Sequence, residues 1–75
     1  MTTTTPHEHV TLTHHRSYST GHTDGWTLAV RPDWAVAFHR AIGFARNVLA
    51  YRDGIDPADA YVAGLFDGMH DRRAQ

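Results

Sequence analysis

The chain has 75 residues with seven basic and eight acidic side chains, seven histidines, a net charge of −1 with the histidines neutral, and no cysteine. That composition excludes disulfides and thiolate metal sites. It counts against a general nucleic-acid binder, which carries a basic excess, and no apolar run approaches the roughly 18 residues of a membrane span. A domain this short buries only about 60% of the surface its unfolded chain exposes, so support is expected from histidine-bound metal or from a partner chain.

Residues 1–9, "MTTTTPHEH", form a polar arm with no regular structure expected and no apolar segment of the kind a signal peptide needs. A cytoplasmic protein of a host cell, or a virion component, is the expectation. Residues 10–75 are read as one small domain.

In "VTLTHHRSY", Val10, Leu12 and Tyr18 fall on alternate positions opposite Thr11, Thr13 and Ser17. That is strand periodicity. "STGHTDG" then reads as a turn cluster with Gly21 and the Asp24-Gly25 pair, and "WTLAV" places Trp26, Leu28 and Val30 on one strand face. The expectation is a β-hairpin over residues 10–30, whose apolar face must rest on helices or on another chain.

The segment from Pro32 to Arg52 carries the clearest helical period. Pro32 suits a first helical position, Asp33 a first turn, and Gly54 a C-terminal stop. Phe44, Ala37, Val48, Ala41, Trp34, Ala45, Phe38 and Leu49 lie in one continuous arc of about half the circumference. A single helical neighbour covers a narrower stripe, so part of this arc must meet the hairpin, a second subunit or a target. A second helix is predicted over 57–72, with Asp56 as N-cap, Pro57 at the first position and Asp59 at the acidic end of a capping box. Its apolar arc is Ala58, Tyr61, Val62, Leu65, Phe66 and Met69; its back is Ala60, Ala63, Gly64, Asp67, Gly68 and Asp71. The predicted fold is therefore α+β: an N-terminal β-hairpin followed by an antiparallel two-helix hairpin, completed by oligomerisation.

Gly64 and Gly68 lie one turn apart inside a helix, where each costs about 0.5–1 kcal/mol relative to alanine. With Ala60 and Ala63 they make a smooth surface edged by Asp67 and Asp71. Such a surface invites close approach, and a second polypeptide is the expected occupant. Phe44 and Tyr51, at the margin of the first helix's arc, are the expected exposed anchors. The candidate partner-binding residues are thus Phe44, Tyr51, Gly64, Asp67, Gly68 and Asp71.

The histidines do not match a metal-binding spacing: His7 and His9 sit in the arm, His14 and His15 are adjacent, and His22 falls in the turn cluster. No metal or cofactor is expected. His39 and His70 have no serine or cysteine nucleophile beside them, and no glycine loop follows a strand to cradle a phosphate. No enzyme is expected.

A strand at 26–30, Pro32 at a helix start and an acidic cap before the second helix resemble the ribbon-helix-helix repressors in order. The long first helix and the apolar strand depart from that family, which reads bases with polar strand residues. "AYVAGLFDGMHDRR", Ala60 to Arg73, together with a chain whose basic residues are all arginine, resembles small accessory proteins of actinobacterial phages. That resemblance implies either a binder and inhibitor of a host protein or a small virion component. The first expectation is a non-catalytic protein-interaction module that occludes a host protein. The alternatives are a minor virion protein with an ordered N-terminal arm, and a DNA-binding dimer of modified ribbon-helix-helix type.

Overall fold

The computed structural model describes residues 14–75, which form three helices. Helix α1 spans His15–Leu28. Helix α2 begins as Trp34–Phe44, widens into a π turn at Ala45–Leu49 and ends with an α turn at Ala50–Asp53. Helix α3 spans Ile55–Arg73. Among the described residues there is no strand. The expected α+β fold is corrected accordingly. Residues 15–25, read as strand and turn, are helical, and Trp26–Leu28 is the last turn of the same helix. The start of the predicted hairpin, residues 10–13, and the arm, residues 1–9, lie outside the described residues.

Local propensity does not explain α1. Its sequence, HRSYSTGHTDGWTL, is rich in serine, threonine, aspartate and glycine, all poor in helix interiors. Its N-cap, His14, makes no side-chain cap hydrogen bond. What holds it is its contact with α3. Gly21 lies against the backbone of Tyr61 and Leu65, and Gly25 against Leu65. Gly64 in turn meets the backbone of Tyr18, Gly21 and His22, while Gly68 meets His22 and Trp26. Positions rise together along both helices, so α1 and α3 are parallel. Two G-x-x-x-G pairs, Gly21/Gly25 and Gly64/Gly68, face each other. At each of the four, a Cβ would overlap a carbonyl oxygen of the opposite helix. The backbones approach at a separation that only a hydrogen side chain permits, gaining dispersion along the crossing and the Cα–H contacts to carbonyl oxygen that recur at close helix interfaces.

Hydrogen bonds close both edges of this seam. Along one edge Tyr18 donates to Asp67 (2.6 Å) and the His22 ring pairs with Asp71 (2.7 Å). Along the other, Tyr61 donates to Asp24. Tyr18, His22 and Trp26 fall at successive i, i+4 positions of α1 and their rings follow one another at 6.2 and 6.3 Å.

Helix α2 runs back antiparallel to both, packed mainly against α3. Its first joint is the turn Ala29–Asp33, in which Arg31 chelates the Asp33 carboxylate through Nε and Nη2, both at 2.8 Å. That pairing explains why Asp33, at the N-cap, makes no capping bond. Pro32 falls in the turn rather than at the first helical position. The second joint is one residue, Gly54, with φ 103°, a backbone conformation in which glycine is unstrained. It follows α2 and takes the N-cap place of α3 that Asp56 was expected to hold. Asp56 and Pro57 sit in the first turn of α3, where the missing proline N–H has no helical partner to lose. No capping box forms: the N-terminus of α3 has no side-chain cap hydrogen bond.

The core is small. Ala45, Tyr61 and Leu65 form its buried cluster, bordered by Leu28, Phe38, Ala41, Ile42, Leu49 and Val62. Leu65 is the one large side chain wholly removed from solvent among the described residues. Phe38 and Phe66 meet edge to face with centroids 4.9 Å apart. At the C-terminal end of α3, Arg72 lies over the Trp26 ring (5.0 Å) and Arg73 over the Trp34 ring (4.1 Å), tying that end to α1 and α2 at once. The molecule is a flattened body of 39 × 31 × 15 Å.

Candidate functional site

The seam leaves little of α1 for α2 to pack on, because the glycine side of α1 is spent on α3. Helix α2 packs mainly on α3, through Phe38, Ile42, Ala45 and Leu49. A groove therefore remains between α1 and α2, with Tyr61 of α3 at its base. Toward the start of α1 it encloses about 300 Å3 among Arg16, Ser17, Thr20, Leu49, Arg52 and Pro57. Toward the end of α1 it encloses about 420 Å3 among Thr27, Leu28, Arg31, Ala37, Arg40 and Ala41. Asp24, Phe44 and Tyr61 line both parts, so the two cavities adjoin at these residues. Volumes of this order are those of recognition clefts.

The two walls differ in chemistry. The α1 wall is polar: Arg16, Thr20, Asp24 and Thr27 recur at three- and four-residue spacing. The α2 wall is apolar: Ala37, Ala41, Phe44 and Leu49. Phe44 is 47% exposed, Val48 43% and Tyr51 93%. The π turn begins just after Phe44; within it the Ala50 N–H reaches back five residues to the Ala45 carbonyl. This wider turn falls where α2 supplies both Phe44 to the groove and the buried Ala45 to the core.

The charged groups of the groove are mostly satisfied. Arg31 pairs with Asp33 and Arg52 with Asp53 (2.9 Å), each as a two-point fork. Those arginines hold the Asp33 and Asp53 carboxyls below the usual range, and Asp53 raises Arg52. Burial, followed by the bond to Asp24, pushes the Tyr61 phenol well above its ordinary value of 10.0. Burial, then Asp67 and the charge of Asp71, pushes Tyr18 up to about 12. Both phenols are neutral donors at any ordinary pH. Arg16 and Arg40 make no ion pair among the described residues, and they stand toward opposite ends of the groove.

The six residues expected to bind a partner fall into two sets. Phe44 and Tyr51 are exposed on α2, with Phe44 in the groove. Gly64 and Gly68 are buried, and what lies on them is α1 of the same chain rather than a second polypeptide. Asp67 and Asp71 flank that seam, bonded to Tyr18 and His22. Reading residues 10–30 as a hairpin hid the α1 wall, so Arg16, Thr20 and Asp24 were missed. The available signal was the second G-x-x-x-G, at Gly21 and Gly25, matching the first.

Among the described residues no group of three or more histidine, cysteine or carboxylate side chains is placed to hold a metal ion, and no helix is long and apolar enough to cross a membrane. No protein-family model matches the chain, and no curated protein or solved structure was found similar to it.

Proposed function

We propose that the chain is a non-catalytic protein-interaction module whose binding surface is the apolar wall of α2, centred on Phe44 and continued by Val48 and Tyr51. The observation that supports this reading is the contrast in burial: apolar residues of α2 stand open, including Tyr51 at 93% and Val36 at 52%, as does Ile55 at the start of α3 at 70%, while among the described residues Leu65 is the one large side chain wholly buried. Exposed aromatic and aliphatic clusters of this kind mark interaction sites. The hydroxyls that line the groove, Ser17, Thr20 and Thr27, have no histidine or carboxylate hydrogen-bonded to them among the described residues, which favours recognition over group transfer. Occlusion of a site on a host protein, in the phage setting that the Ala60–Arg73 resemblance implies, is the role that fits such a surface. The ribbon-helix-helix alternative rested on a strand at 26–30, which is helix and turn here.

The test is capture from an actinobacterial lysate with the immobilised chain and with Phe44→Glu. A stoichiometric protein retained by the wild type and released by Phe44→Glu is the expected result. Identical retention by both forms would move the binding surface elsewhere.

A further inference from the structure

Resting on that reading, we infer that the α1–α2 groove receives one amphipathic helix of a partner protein, apolar on the face it inserts and acidic near both of its ends. The shape argument comes first. Helices α1 and α2 run antiparallel along the two sides of the groove, and Tyr61 of α3 closes its base. From Arg16 to Leu28 the groove follows thirteen residues of α1, twelve rises of 1.5 Å or about 18 Å, which is room for three turns of a helix. An inserted stripe at i, i+4 and i+7 would meet Ala37, Ala41, Phe44 and Leu49 on one side and threonine methyls on the other.

Charge selects the partner. Around the groove Arg31–Asp33 and Arg52–Asp53 cancel internally, and Asp24 is engaged by Tyr61. Arg16 at one end and Arg40 toward the other form no ion pair among the described residues, although the charge of Arg40 already reaches Asp33. A guanidinium presents a planar fork suited to a carboxylate, so the incoming helix carries aspartate or glutamate about three turns apart. Helix α2 of a second copy does not match, because its polar flank carries Arg40, Arg46 and Arg52; in α3, Tyr61, Leu65 and Met69 are already buried in the fold and only Ile55 and Phe66 among its large apolar side chains stand exposed. Rim charges of this sort set partner choice and association rate more than total affinity.

The experiment uses the full chain and two synthetic helical peptides of about 18 residues. Both carry the same leucine stripe; one has glutamates near each end, the other lysines. The glutamate peptide is expected to bind 1:1 and at least about tenfold more tightly than the lysine peptide. Arg16→Glu with Arg40→Glu reverses the preference, and Phe44→Glu abolishes binding of both, with circular dichroism confirming that each variant is folded. Equal binding of the two peptides, or binding of neither, overturns the proposal. So does a dimer that Phe44→Glu dissociates, which puts a second copy in the groove, or a large gain in affinity for both peptides on deleting residues 1–13, which puts the chain's own N-terminal segment there. Loss of lysate capture in Phe44→Glu without peptide binding retains the interaction module and defeats only the acidic helix; failure of both defeats both.

Discussion

The seam between α1 and α3 and the face of α2 solve opposite problems. In the seam, four glycines and the polar edge pairs Tyr18–Asp67, His22–Asp71 and Tyr61–Asp24 bring two backbones together with almost no apolar side chain between them. On α2, large apolar side chains are plentiful and largely uncovered. The close helix contact is therefore made by the small residues, and many of the conspicuous hydrophobic residues stand open to solvent. A short chain with so little buried volume gains cohesion from close backbone contact.

Enlarging a seam residue gives the largest expected effect. Gly25→Leu puts a branched side chain where a single Cβ already overlaps the Leu65 carbonyl. It should abolish cooperative unfolding by circular dichroism, since even milder overpacking costs about 1–3 kcal/mol. Next comes Leu65→Ala, which empties the one large wholly buried position among the described residues and is expected to lower stability by about 2–5 kcal/mol in urea titration.

Alkali should attack the seam rather than α2. Tyr18 and Tyr61 hold their protons to higher pH folded than unfolded, where the ordinary value is 10.0. Their contribution is complete below about pH 10 and is lost as pH rises toward 12 and beyond. The urea midpoint should fall across that range, and Tyr18→Phe with Tyr61→Phe should flatten the fall.

Smaller effects follow at the periphery. Removing the stacked guanidiniums with Arg72→Ala and Arg73→Ala should cost about 0.5–1 kcal/mol each, read as a drop in melting temperature. Phe44→Glu should change stability by no more than about 0.5 kcal/mol, because the side chain is half exposed and outside the buried cluster. A large loss there would place Phe44 with the fold instead of with recognition.

Helix α2 was legible in the sequence because its apolar residues recur with the helical period over twenty positions, and α3 because Gly54, Pro57 and the terminal arginines punctuate it. Helix α1 was not. Thr20, Gly21, Thr23, Asp24 and Gly25 are turn and strand residues by local preference. They are helical because Gly21 and Gly25 must lie flat on α3, a requirement set by residues some forty positions away. The close approach behind Gly64 and Gly68 was readable from their spacing. That the approaching backbone belongs to the same chain was not, because the region that supplies it looked like a hairpin. The exposure of Phe44 and Tyr51 was legible from the arc of α2 alone, whereas the groove needs both walls and so waited for α1.

The most direct measurement compares one added methyl group at two helical glycines. Gly43 has nothing within 4 Å of the place its Cβ would occupy, while at Gly64 that Cβ would overlap the Tyr18 carbonyl. In urea unfolding, Gly43→Ala should stabilise by about 0.5–1 kcal/mol, the ordinary helical gain. Gly64→Ala should destabilise by about 1–3 kcal/mol. Stabilisation in both variants would contradict a seam closed on glycine.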